Sequence, residues 1–256
     1  MEKLKELISS PTKQLTEEEK ETLNLLYELS EEKVRTYTNQ IMNDLRTAGM
    51  EEKPTVPIMQ VLGAYQEIYV ITKDSSDEDI TTEIRNGLRG FVPGGKDKII
   101  DGIAGFISTG LRTMLGAENG EECFEKSYYL VTEGSTLVRL DLIYWSRHVN
   151  ATNIMEHAEK SLVYVVVKSS VDMERVSFGA VFPAYQKNLI QCNLSKEEFC
   201  VELENAKEIS RLYNPDDMSR IITGARLPCE RKIIHDFGVL QSNRNVVNNI
   251  WPSRDV

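Results

Sequence analysis

The stretch Ser161-Leu-Val-Tyr-Val-Val-Val-Lys168 is strongly β-prone, and apolar and polar residues do not alternate along it. This pattern predicts a strand that is covered on both faces. Residues 128–132 and 136–145 read as two further strands joined by a short turn that contains glycine. Residues 176–182 could form another, ended by a proline. We therefore expect an antiparallel sheet of at least four strands from about residue 127 to 183.

The chain before this sheet reads as helical up to about residue 116. Thr16 and Glu19 have the spacing of a capping box, and apolar residues behind them recur at helical intervals until Gly49. They predict one long amphipathic helix of about 30 residues. We expect a second helix over residues 55–72 and a third, capped by Ser76. A helical hairpin or bundle is the natural arrangement for such helices.

The most apolar helical segment covers residues 99–116, where four glycines lie among the apolar residues. Its apolar positions fit a buried helix face and include Ile100, Ile103, Ile107, Leu111, Met114 and Leu115. One interpretation is a central helix of a globular core. The alternative is a membrane-active element that is released at a bilayer. We favour the core helix, because Asp101 and Arg112 would be costly at mid-bilayer.

Helices are expected again after the sheet. Ser195 and Glu198 form a second capping box for a helix to about Tyr213, and a further helix is expected from Asn214 to Gly224. The predicted fold class is therefore α+β. It comprises an N-terminal helical subdomain (1–118) and a segment (119–256) with the antiparallel sheet and C-terminal helices, all packed as one unit.

Charge and composition limit the function classes. With 30 Lys and Arg against 40 Asp and Glu, the formal charge is −10, which disfavours sequence-independent nucleic-acid binding. Anionic membrane surfaces are disfavoured for the same reason. The charged amphipathic start is not that of a signal peptide, and four widely spaced cysteines suggest reduced thiols. We expect a cytoplasmic protein, or one exported without a cleavable signal peptide.

No motif for a cofactor or a metal emerges. Gly90 to Lys96 resembles a phosphate loop, but Asp97 replaces the required Ser or Thr, and the preceding segment reads as helical. The three histidines lack the spacing of metal ligands on a helix. We therefore predict neither a cofactor nor a metal site.

Four polar residues on the predicted strand 136–145 and just beyond it form a candidate patch: Arg139, Asp141, Arg147 and His148. Such a patch could bind a small acid or a partner. It could also be the solvated face of a half-exposed antiparallel sheet, which is the interpretation that we favour.

The absence of a catalytic constellation favours a non-enzymatic association protein, such as a helical-assembly partner, an adaptor or a component of a multi-protein system. A protein partner or a homo-oligomer is expected. One alternative is a membrane-active or toxin-like protein that uses residues 99–116. Another is a small-molecule enzyme whose site includes Arg139, Asp141 and His148.

Overall fold

The computed structural model describes most of the first 213 residues, namely residues 2–10, 15–50, 55–72, 75–92, 97–115, 122–149, 151–154, 157–175, 178–191 and 194–213. The predicted helix over residues 214–224, the phosphate-loop-like residues 93–96 and His235 lie outside the described residues.

Eleven elements follow one another in the described chain, and the sheet combines strands from both halves of the sequence. Its order is β1-β2-β5-β4-β3, and all neighbouring strands are antiparallel. The elements are β1 (Glu2–Lys3), α1 (Leu4–Ser9), α2 (Glu17–Arg46), β2 (Ile58–Ile71), α3 (Asp77–Phe91), α4 (Asp97–Leu115), β3 (Glu122–Glu133), β4 (Thr136–His148), β5 (Lys160–Val171), α5 (Phe178–Gln191) and α6 (Lys196–Tyr213).

The strand β5 lies in the middle of the sheet and is buried on both faces, as its unbroken apolar run predicts. On one face, Val163, Val165 and Val167 pack under α2. On the other face, Leu162, Tyr164 and Val166 join the larger core beneath α3, α4, α5 and α6. The molecule is therefore α+β with three layers: the long helix α2 together with the short α1, the sheet, and a layer of four helices.

The long helix α2 is confirmed, and so is its capping box. The Glu19 N–H donates to Thr16 Oγ1, and the Thr16 N–H donates to the Glu19 carboxylate. The partner of this helix differs from the expected hairpin, because its apolar stripe rests on the sheet. Val34, Tyr37 and Ile41 belong to the cluster that includes Ile143, Trp145 and three valines of β5.

The helix predicted over residues 55–72 is wrong, since residues 58–71 form the long strand β2. The register of β2 against β5 shifts twice, between Ile58 and Gln60 and between Val61 and Gly63. Each shift is a β-bulge, which inserts one extra residue and breaks the two-residue period of a strand. From Gly63 onwards both faces of β2 are packed: Tyr65 and Tyr69 contact the larger cluster, and Ile68 packs against the cluster under α2. Together with the two bulges, apolar residues on both faces produce the three- and four-residue steps that are also the spacing of a helix face.

The prediction of a strand over residues 176–182 is also wrong, because residues 178–191 form α5 and Pro183 lies inside that helix. The helices predicted around residues 99–116 and after Ser195 are confirmed as α4 and α6. The cap of α3 is confirmed too, with Ser76 and Asp79 bonded to each other in a capping box. The proposed division at residue 118 stays a prediction, although β2 connects the first segment to the sheet.

Candidate functional site

Arg139 and Asp141 form a buried ion pair on the face of the sheet that α2 covers. Nε and Nη2 of Arg139 donate to the two carboxylate oxygens of Asp141 over 2.8 and 2.7 Å. Nη1 donates to the backbone oxygen of Val56 over 2.6 Å, and the guanidinium lies 4.4 Å from the centre of the Tyr128 ring. Burial raises the pKa of Asp141, and the adjacent guanidinium opposes that effect.

The expectation that this patch is the solvated face of the sheet is wrong. Arg139 and Asp141 are only 3% and 2% exposed. The two charges compensate each other inside the fold, so removing either one would leave the other buried without a partner charge. Only a view of the whole sheet shows this, because the alternation along β4 looks the same whether the second face meets water or a helix.

Arg147 and His148 lie at the far end of β4 and do not join this pair. They pair in register with Ser161 and Lys160 of β5, beyond the buried Trp145. Burial and the nearby Lys160 lower the pKa of His148. The four residues of the predicted patch therefore occupy two separate places in the fold.

The apolar helix α4 packs into the core. Ile100, Ile103 and Ile107 are buried in the larger cluster with residues of the sheet. The side chains of Leu111, Met114 and Leu115 lie outside the described residues. Of the described helices, none has both the length and the apolar character that a membrane crossing requires.

The described part of the surface includes two open grooves. One, of about 650 Å³, is bordered by α1, α2 and the end of β2, and it has Lys5, Arg35 and Glu67 among its walls. The other, of about 590 Å³, lies where the β3–β4 turn meets the end of α6, near Ser135 and Arg211. The charges in the first groove are mixed in sign, which does not define a substrate class.

Among the described residues, few groups are suited to metal binding or nucleophilic catalysis. The described part of the chain contains no group of three or more His, Cys, Asp or Glu side chains that could hold a metal ion. Cys123 is half-buried, and burial raises the pKa of its thiol, so it is a poor nucleophile.

The most distinctive surface is the open edge of β2, which we define as residues Ile58 to Gln66. One side of this stretch pairs with β5, whereas β1 covers the other side of the strand only at Tyr69 and Val70. Within the described ranges, no strand pairs with the outer side of the open edge. The nine residues carry no charge, and they leave a row of backbone groups available for pairing.

The two bulges present large apolar side chains on this open edge. Met59 and Leu62 are the residues that the register with β5 skips. They are 56% and 44% exposed, and Val61 between them is also exposed. Bulges commonly redirect side chains at sheet edges, and here they turn two apolar groups away from the core.

The opposite edge of the sheet, at β3, is protected in two ways. Asn188 of α5 bonds to its backbone: the Leu130 N–H donates to Oδ1 over 3.0 Å, and Nδ2 donates to the Tyr128 oxygen over 3.2 Å. Nearer its start, β3 has the charged residues Glu122, Glu125 and Lys126. Side-chain caps and charges are devices that prevent edge-to-edge pairing, and the open edge of β2 has neither of them.

Sequence reasoning missed the open edge because it assigned β2 to a helix. The available signal was the run Ile68-Tyr-Val-Ile71, whose β-branched and aromatic residues favour a strand. Comparisons of this chain with protein-family models, with curated proteins and with solved structures found no match. Any functional proposal therefore depends on the surface itself.

Proposed function

We propose that this protein works without catalysis, by binding an extended segment of another polypeptide as an added strand along the open edge of β2. The observation that carries this proposal is the contrast between the two edges of one sheet. The β3 edge is capped by Asn188, whereas the outer backbone side of nine uncharged residues of β2 has no pairing strand among the described residues.

Strand addition would use the features found at this edge. Backbone hydrogen bonds supply affinity, and alternate side chains of the added strand contact whatever lies on either face of the sheet. Met59, Val61 and Leu62 offer apolar surface at one end. At the other end, Gln66 borders the groove between α1 and α2, which could receive a side chain of the bound segment.

The two alternative functions have less support. The side chains suggested for an enzyme lie in two separate places. Arg139 and Asp141 form a buried pair whose charges bond to each other, and His148 lies at the other end of β4. The helix suggested for membrane activity has its described apolar residues in the core. Neither arrangement offers a reacting group that converges on an open cavity.

A peptide that copies residues 57–67, with solubilising residues added outside that span, tests the proposal. Amide hydrogen exchange of the full-length protein is measured at low protein concentration, with and without this peptide. We expect slower exchange within residues 58–66, and unchanged exchange along the β3 edge. Unchanged exchange in residues 58–66 at saturating peptide would overturn strand addition at β2.

A further inference from the structure

We infer that the added strand is β2 of a second copy of this chain, so that two copies pair antiparallel about a two-fold axis. This inference rests on the proposed function and specifies its partner. A two-fold contact requires a surface that is complementary to itself, since each contact between two residues occurs twice and only residues at the axis meet their own counterparts.

The open edge meets this requirement because it has no charge. When a strand pairs antiparallel with itself, its residues face their own stretch in reverse order. Any charge in Ile58 to Gln66 would risk a like charge opposite or diagonal to it, which destabilises strand pairs. The β3 edge has no comparable neutral stretch at its start, because Glu122, Glu125 and Lys126 lie within its first five residues.

Net charge restricts where two copies can meet. At −10 each, the copies repel over most of their surfaces, so an uncharged apolar strip is the favourable place for contact. Both ends of the strip have paired charges. Lys3 lies 2.9 Å from Glu67 at one end, and Arg175 lies 4.0 Å from Asp172 at the other.

The position of those ion pairs suits a two-fold arrangement. The Asp172 N–H donates to the oxygen of Pro57, which places this pair beside the start of β2. Antiparallel pairing brings the start of one β2 towards the end of the other. Each neutral pair of one copy then lies towards the opposite neutral pair of the second copy, and Leu62, the middle residue of the strip, lies near the axis.

Sedimentation velocity over a wide range of protein concentrations tests this arrangement with two matched variants. Leu62→Lys places a charge in the open edge. Leu25→Lys makes the same change at a leucine that is 61% exposed on α2 and outside the open edge. We expect a monomer–dimer equilibrium for the natural chain and for Leu25→Lys. Leu62→Lys should weaken dimerisation by about tenfold or more, since paired like charges oppose strand pairing.

Circular dichroism shows whether Leu62→Lys folds, and Met59→Lys serves as the second edge variant. Hydrogen exchange of the natural chain adds an independent measurement, in which protection of residues 58–66 should rise with protein concentration. A dimer that Leu62→Lys and Met59→Lys leave unchanged would overturn the inference, because the contact would lie elsewhere. Protection that does not depend on concentration would also overturn it, because the edge would then be covered within one chain.

The peptide experiment separates the two proposals. A chain that stays monomeric but binds the β2 peptide overturns the second-copy inference and leaves strand addition standing, with a different partner. A monomer that also fails to bind the peptide overturns both.

Discussion

The ion pair between Arg139 and Asp141 shows how a charged residue type can have a structural role that its type does not reveal. Each side chain is almost fully buried. The guanidinium donates hydrogen bonds to the Asp141 carboxylate and to the backbone oxygen of Val56. Removing one member of such a pair is costly because the other charge is left without compensation in a medium of low polarity.

We expect Asp141→Ala to lower the free energy of unfolding by about 3–5 kcal/mol, because it leaves the buried Arg139 guanidinium without a partner charge. Urea denaturation followed by circular dichroism measures this. Glu204→Ala is the control, since Glu204 is exposed on α6 and pairs with Lys207 at 3.4 Å. Its effect should stay below about 1 kcal/mol. Equal effects of the two substitutions would contradict the structural role of the buried pair.

The glycines of α4 differ in what a side chain would meet. A Cβ at Gly110 would overlap the hydroxyl of Tyr144 on the sheet, whereas a Cβ at Gly105 would enter open space. This close approach explains one of the glycines in an otherwise apolar helix, where each glycine disfavours helix formation by about 1 kcal/mol relative to alanine.

Gly110→Ala should therefore destabilise the protein by about 1–3 kcal/mol, as overpacking in a core does. Gly105→Ala on the same helix should stabilise it by up to about 1 kcal/mol, because only helix propensity changes there. Thermal and urea unfolding of the two variants provide the comparison. A stabilising Gly110→Ala would show that α4 does not rest against Tyr144.

At the scale of elements, the two sheet edges differ in their partners. Asn188 satisfies two backbone groups of β3 and is itself buried, so α5 acts as a cap along that edge. Along Ile58 to Gln66 of β2, by contrast, no strand among the described residues pairs with the outer side. The two edges of one sheet therefore differ in protection. A neighbouring helix protects the β3 edge, and no described strand covers the outer side of β2 from Ile58 to Gln66.

Asn188→Ala should cost about 2 kcal/mol of stability, because the Leu130 N–H and the Tyr128 oxygen lose their bonds in a buried place. Amide exchange at Leu130 should become faster. Asn43→Ala is the matched control, since Asn43 is exposed on α2 and accepts one bond from Arg46 at 3.4 Å. It should change stability by less than about 0.5 kcal/mol. Unchanged exchange at Leu130 would mean that Asn188 does not protect this edge.

The elements that were predictable from sequence are those whose signals are local. The capping box at Thr16 marks the start of α2, and the apolar run of β5 marks a strand buried on both faces. The strand β2 was not predictable by periodicity, since two bulges interrupt its first half and both faces of its second half are packed. The open edge could not be predicted because its existence depends on strand order, which brings β2 next to a strand about 100 residues away.

The same reasoning explains why the predicted polar patch was only half recovered. Arg139 and Asp141 are two residues apart on one strand and therefore share a face. Whether that face meets water depends on α2, whose stripe lies across the sheet instead of against another helix. The apolar stripe of α2 and the strand β4 can both be recognised in the sequence, but their packing against each other cannot be predicted from it.

For the whole molecule, the order β1-β2-β5-β4-β3 makes the two halves of the chain dependent on each other. The strand β2 pairs with β5, and the stripe of α2 rests on β4 and β5, so residues 1–118 alone would expose both surfaces. The isolated segment would therefore bury too little apolar surface to fold stably, because the stripe of α2 and the strand β2 would lack their partners.

We therefore expect a fragment of residues 1–118 to show no cooperative urea transition by far-ultraviolet circular dichroism, whereas the intact chain unfolds cooperatively. Mixing this fragment with residues 119–256 should restore a cooperative transition, because β2 regains β5 and α2 regains the sheet. A cooperative transition in the isolated fragment would mean that it is an independent domain. In that case the sheet would join two bodies at the β2–β5 pair, and the open edge would belong to a unit that can move relative to the rest of the sheet.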